Sequence, residues 1–156
     1  MERYLNGQVC LNGHVITGKV GSADTSKFCI RCGDKTISAC LECNAPIRGD
    51  WHADYGYLSM SEAPSFCHEC GKPYAWTERA IAAAKELADE VEGIDDADRE
   101  RAKESFIALA SDTPQTTVAV TRVKKLIQKA GPILGGGIRD ILVDIATEAA
   151  KKGLGF

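Results

Sequence analysis

The sequence predicts a small α+β protein. An N-terminal zinc-ribbon or rubredoxin-like module with short β-hairpins is followed by a C-terminal bundle of about four α-helices. Three observations predict this. Residues 29–43 read C-I-R-C-G-D-K-T-I-S-A-C-L-E-C, two Cys-x-x-Cys pairs with seven residues between them. A third such pair, Cys67/Cys70, and a Cys10-x-x-x-His14 pair flank them. From residue 77 onward there is no cysteine, and apolar residues recur at helical spacing. The expected boundary lies there: residues 1–76 form a module binding two metals and residues 77–156 a helical domain.

Two thiolates three positions apart grip one ion from a tight turn, and a second turn completes a tetrahedral site. The candidate ligands are Cys10, His14, Cys29, Cys32, Cys40, Cys43, Cys67 and Cys70, enough for two structural zinc ions. The seven cysteines and one imidazole suit metal better than a disulfide scaffold. The expected partition is nested, with the two inner pairs on one ion and the outer two on the other. The inner loop is short, so its closure costs little entropy. A crossed partition, pairs one with three and two with four, is the alternative. Iron is possible at the all-cysteine site, because thiolates accept either metal. His52 could replace His14 but has no partner at knuckle spacing. His68, inside its knuckle, should point outward.

In chain order, Tyr4-Leu5 starts a strand and Asn6-Gly7 signals a turn. Val15-Ile16-Thr17 is β-prone. Phe28 precedes a knuckle, where an aromatic packs beneath the metal. Residues 50–64 crowd Trp51, Tyr55, Tyr57, Leu58 and Met60 into an insertion, expected chiefly to cover the knuckles. Thr77 is the expected cap of a helix over 78–92. Asp98 reads as a cap or first-turn acid of a second helix over 99–110. Thr113-Pro114 opens a third helix, which Gly131-Pro132 stops. A fourth begins near Gly135 or Gly137 and reaches Lys151. The triple glycine lacks the Lys-Ser/Thr of a P-loop, so it reads as a joint or a close helix contact. The broad stripe Ile138, Ile141, Leu142, Ile145 and Ala149 suggests self-association through the C-terminal helices, with intramolecular packing as the competing account.

The chain has 156 residues, 44% of them apolar, and a net charge of −3. No apolar run is long enough to span a membrane, and the first residues do not resemble a secretory signal. A cytoplasmic location is expected, where cysteines stay reduced. Residues 77–112 carry five basic and eleven acidic side chains, and residues 113–156 seven and three. The basic end is a weak footprint for nucleic acid.

The motifs N-G-Q-V-C-L-N-G-H-V-I-T (6–17), F-C-I-R-C-G (28–33) and F-C-H-E-C-G-K-P-Y-A-W-T (66–77) together resemble the DUF2321 family of small bacterial proteins. So do S-D-T-P (111–114) and G-G-G-I-R-D-I-L-V-D-I-A (135–146). The resemblance implies a bacterial zinc-ribbon protein with a helical tail. It transfers no catalytic residue.

The function expected is that of a metal-stabilised binding or adaptor protein acting through protein–protein contacts. Nucleic-acid binding is the alternative, with Arg31, Lys35, Arg48 and Lys72 near the knuckles and Tyr55, Tyr57 and Trp76 available to stack on bases. An enzyme is the weaker alternative. A catalytic zinc keeps a coordination position open, and a closed set of four protein ligands does not.

Overall fold

The computed structural model describes residues 1–156. The chain divides into two compact units, Met1–Glu78 and Arg79–Phe156. The first contains two three-stranded antiparallel sheets. One has the order β1-β5-β6, with β1 Arg3–Asn6, β5 Arg48–Ala53 and β6 Gly56–Leu58. The other has the order β3-β2-β4, with β2 Gln8–Cys10, β3 Val15–Thr17 and β4 Thr36–Ile37.

Burial in this unit is concentrated under the knuckles. Val9, Ile47, Tyr74 and Trp76 pack with Cys40 and Cys67, and Ile37, Ala45, Met60 and Ala63 close the cluster. So few apolar residues make a small core, the situation in which a metal supplies folding energy. The two sheets meet through glycines. A Cβ on Gly49 would lie 2.7 Å from the Gly7 nitrogen and collide with the Gly18 carbonyl, and Asp50 N–H donates to that carbonyl at 2.9 Å.

Two expectations fail here. Phe28 does not pack beneath a metal; it is exposed. The aromatic insertion does not cover the knuckles either. It forms the β5–β6 hairpin, whose outer strand leaves Tyr57 and Leu58 63% and 71% exposed, with Tyr55 at the turn fully exposed. From this insertion, Met60 and Ala63 pack against the core. The backbone demand explains this: β5 is the central strand, and its pairing partners β1 and β6 hold the side chains away from the cysteines.

Helix α1 spans Ala75–Asp89 and begins earlier than expected. Thr77 is not its cap. It is buried within the first turn, and its hydroxyl donates to the Ser65 carbonyl at 2.9 Å, a tertiary tie. In the second unit, α2 (Asp96–Leu109) is capped by Asp95, whose carboxylate accepts the Ala97 N–H, while Asp98 is a first-turn acid. Helix α3 runs Gln115–Val143 with a break at Gly131, where φ is 79° and ψ 177°. Pro132 follows, tolerated as the first residue of a renewed helix. The break confirms the expected stop, yet the helix resumes at once.

The triple glycine lies inside that renewed segment. Gly135 is required by a close approach, since a Cβ there would come within 2.6 Å of the Ile127 carbonyl. The expected fourth helix is in fact two pieces. It breaks after Val143, and Thr147 caps a separate α4, Glu148–Leu154, by accepting the Ala150 N–H. Ile138, Leu142 and Ile145 are buried inside the helical unit itself, against the expectation that this stripe faces a partner. Phe106, Leu109, Val123 and Leu126 join them in the core.

Candidate metal centres

Three of the four knuckles are copies of one turn. In each Cys-x-x-Cys, the residue after the second cysteine turns into the left-handed region: Gly33 (φ 75°), Asn44 (φ 62°) and Gly71 (φ 72°). Its N–H donates to the carbonyl of the first cysteine, at 2.8, 2.8 and 2.9 Å respectively. Glycine suits that backbone, and asparagine is the side chain that best tolerates it. A single β-bridge closes each turn: Phe28–Lys35, Ala39–Pro46 and Phe66–Pro73. The Gly-Asn-Gly series after the second cysteine is legible in the sequence, and the role of Asn44 was missed. The first knuckle is one residue longer. There Gly13 (φ 89°) makes the turn, and Gly13 N–H donates to the Cys10 carbonyl at 2.9 Å.

The eight side chains gather into two clusters, Cys10/His14/Cys29/Cys32 and Cys40/Cys43/Cys67/Cys70. Within each, the donor atoms all lie within 4.8 Å of one another. This corrects both partitions read from the sequence. The pairs close in order, first with second and third with fourth. The reason is β4. Residues 36–37 do not form a private hairpin between the inner pairs; they pair with β2, Thr36 opposite Cys10 and Ile37 opposite Val9. That pairing brings the second knuckle to the first. It leaves Cys40 beyond the far end of the strand, beside Cys67.

The spacing is that of a metal site. Cys10 Sγ lies 3.7 Å from Cys32 Sγ, Cys43 Sγ 3.7 Å from Cys67 Sγ, and Cys40 Sγ 3.8 Å from Cys70 Sγ. A tetrahedron with zinc–sulfur bonds of about 2.3 Å has sulfur–sulfur edges of about 3.8 Å. His14 Nδ1 is 3.4 Å from Cys10 Sγ and 3.5 Å from Cys29 Sγ. The corresponding sulfur–nitrogen edge is about 3.6 Å. A disulfide needs about 2.05 Å, so these sulfurs are not bonded to each other. His14 presents Nδ1, leaving Nε2 to face away. His52 stands on β5 opposite Arg3 and Tyr57, exposed and outside both clusters, and His68 is exposed as expected.

Backbone and side-chain donors surround the sulfurs. His14 N–H reaches Cys10 Sγ at 3.3 Å, and the Arg31 and Glu69 N–H groups reach Cys29 and Cys67 at 3.4 Å. The Asn12 amide donates to Cys32 at 3.4 Å, a contact with no signature in the spacing. With the Asp34 N–H, it lowers the Cys32 thiol to about 6. The Cys70 and Glu69 N–H groups hold Cys67 down to about 6. At Cys43 the Ala45 N–H pulls downward, but burial and the neighbouring thiols outweigh it and push the group up to about 12. Burial raises Cys10. These N–H donors favour the thiolate, the form that binds metal.

Tyr74 supplies a second test of fit. Its ring is buried and stacks on Trp76 with centroids 4.5 Å apart, and its hydroxyl has no hydrogen-bond partner. Burial, with Cys67, Cys40 and Cys43 facing it, raises the phenol. A buried hydroxyl without a partner is costly, and a metal-bound thiolate beside it would be the missing acceptor. Tyr74→Phe is accordingly expected to speed metal loss from the Cys40 cluster to a chelator and to leave the Cys10 cluster unchanged. Stopped-flow chelator competition measures both phases.

A parallel expectation separates the histidines. His14→Ala should lose or weaken one ion, whereas His52→Ala should keep both. Elemental analysis of the two purified variants checks it.

Four-ligand knuckle clusters on small sheets, joined to a helical bundle, define a zinc-ribbon-like protein with a helical C-terminal part. The chain belongs to the DUF2321 family, described as an uncharacterized protein conserved in bacteria, whose model matches residues 3–154. No curated protein and no solved structure matches the chain. No helix is long and apolar enough to cross a membrane.

Proposed function

We propose that the protein is a cytoplasmic adaptor: two structural zinc ions hold its ribbon unit, which binds a protein partner through the β1-β5-β6 sheet. Zinc is the reading for both sites, with iron as the alternative at Cys40/Cys43/Cys67/Cys70. The observation that carries the adaptor reading is where the apolar surface lies. Nine of the twelve exposed large apolar side chains are in residues 1–78, and four of them, Tyr4, Tyr55, Tyr57 and Leu58, belong to this sheet and its turn. Tyr4 meets Trp51 edge-on with centroids 4.7 Å apart, and the Arg48 guanidinium sits 4.7 Å over the Tyr4 ring. Tyrosine, tryptophan and arginine are the residue types that dominate binding hot spots. All four donors of each cluster are taken as ligands, which supports a structural rather than a catalytic role.

Nucleic-acid binding is the second reading, favoured by Arg48 and the exposed tyrosines. One of its residues is out of reach: Trp76 is buried with Nε1 donating to the Pro64 carbonyl at 2.8 Å, while Lys72 stays exposed in a surface pair with Glu42 at 3.0 Å. Self-association through the helical unit would have to use Ile107, Val118 and Ile133, its exposed large apolar residues.

A photo-crosslinking residue at position 57, with position 133 as control, tests the proposal in cells. One protein adduct is expected at 57 and none at 133, and Trp51→Ala should remove it. Adducts to RNA or DNA at 57 would transfer support to the second reading. No specific adduct at 57 would end both.

A further inference from the structure

We propose that the helical unit carries an anion site for a phosphoryl group, in the cleft between the start of α2 and the middle of α3. The cleft encloses about 230 Å³ and is lined by Ile94, Asp98, Arg101, Thr121, Arg122 and Lys125. Three cations face it against one carboxylate. The surroundings make this unusual: residues 77–112 are strongly acidic, yet the stretch of α3 from Gln115 to Gly131 carries four basic residues and no acid.

Two of the cations have a partner beside the cleft. Arg101 pairs with Asp98 one turn earlier, Nη1 to Oδ1 at 3.0 Å, at the surface. Arg122 Nη1 donates to the Ser105 hydroxyl at 3.4 Å. That serine is buried, and its own proton is committed to the Arg101 carbonyl at 2.7 Å, so it has only acceptor capacity to offer. A buried hydroxyl thus anchors Arg122 at the cleft wall. Lys125 lies three positions further along the same helix face, without an ion-pair partner. With Arg101 paired to Asp98, Arg122 and Lys125 leave the concavity with uncompensated positive charge that an anion would neutralise. Two guanidinium forks and an ammonium suit a tetrahedral oxyanion. Ile94 supplies an apolar wall that limits water on one side.

The volume restricts the ligand class. Pockets for whole drug-sized ligands run to about 300–1,000 Å³. This cleft accommodates a phosphate or the phosphoryl end of a larger molecule, with the remainder outside. Asp98 works against a bound anion, and its pairing with Arg101 has to loosen as the anion takes over that guanidinium.

The test uses full-length, zinc-loaded protein titrated with inorganic phosphate and followed by amide NMR, with sodium chloride at matched ionic strength as control. Saturable shifts at Ile94, Arg101, Thr121 and Lys125 are expected with phosphate and not with chloride. Arg122→Ala and Lys125→Ala should each weaken binding about tenfold or more, as loss of a charge-assisted contact implies. Lys129→Ala, outside the cleft, should bind as the parent does. Circular dichroism confirms that each variant is folded, and Arg122→Lys keeps the charge while losing the fork. Equal response to chloride, or unchanged affinity in both alanine variants, overturns the site. To separate sources, a short single-stranded oligonucleotide is titrated in parallel. If it binds through these residues while inorganic phosphate does not, the site reads a nucleic-acid backbone and the small-ligand assignment fails.

Discussion

Cys29→Ser is expected to lower the metal content from two ions per chain to one and to expose a specific set of thiols. Because the knuckles close in sequence order, Cys10 and Cys32 should become reactive toward an alkylating reagent, while Cys40, Cys43, Cys67 and Cys70 stay protected. Cys67→Ser should give the mirror pattern. A nested arrangement would instead expose Cys40 and Cys43 in the first variant. The effect should be large. A structural zinc site contributes about 10–16 kcal/mol in small zinc peptides, comparable with the whole stability of a domain, about 5–15 kcal/mol. Losing one ion should therefore unfold the strands around that cluster. Elemental analysis and mass spectrometry after alkylation decide the matter. One ion in the parent protein, or uniform exposure of all thiols in Cys29→Ser, would refute two independent sites.

Gly49→Ala should be among the most damaging single-methyl additions in the ribbon unit. Gly49 is buried where three backbone segments converge, with the Gly7 nitrogen and the Gly18 carbonyl on either side of its missing Cβ. Backbone cannot rotate out of the way as a side chain can. The Gly7 N–H to Ile47 carbonyl bond at 2.8 Å and the Asp50 N–H to Gly18 carbonyl bond at 2.9 Å would both be displaced. Overpacking of this kind costs about 1–3 kcal/mol and occasionally more, and the upper end is expected. Gly136→Ala makes the contrast. That glycine lies in a helix with open space at its Cβ, so alanine should stabilise by about 0.5–1 kcal/mol. Denaturant melts of the zinc-loaded variants compare them. Equal midpoints would mean that the three segments are not locked together.

Ligand identity was legible in the sequence because it is a matter of local chemistry. A turn that presents two thiolates needs its cysteines three apart and a residue tolerant of positive φ after them, and Gly33 and Gly71 provide it. Two helix boundaries were legible for a similar reason, since Thr113 and Gly131 act within one turn of their own chain, whereas the cap of α2 is Asp95 and not Asp98. The same locality explains the missed break after Val143. Thr147 is an ordinary cap, but the apolar stripe continues past it and hides it. The exposure of Tyr57 and Leu58 was also misread, because the choice between covering a knuckle and joining a sheet depends on which strand β5 pairs with.

The sequence by itself determined which eight side chains could bind metal, that the second half of the chain is helical, and how the chain divides in composition. Only the tertiary structure decided which knuckles share an ion. Short loops lower closure entropy by only a fraction of a kcal/mol per halving of length, so proximity in sequence was a weak guide. The pairing of Thr36 and Ile37 with Cys10 and Val9 adds backbone hydrogen bonds and buries Val9, and it orients the second knuckle toward the first. That long-range contact outweighs the small entropic advantage of the inner loop, and it has no local signature in the residues that make it.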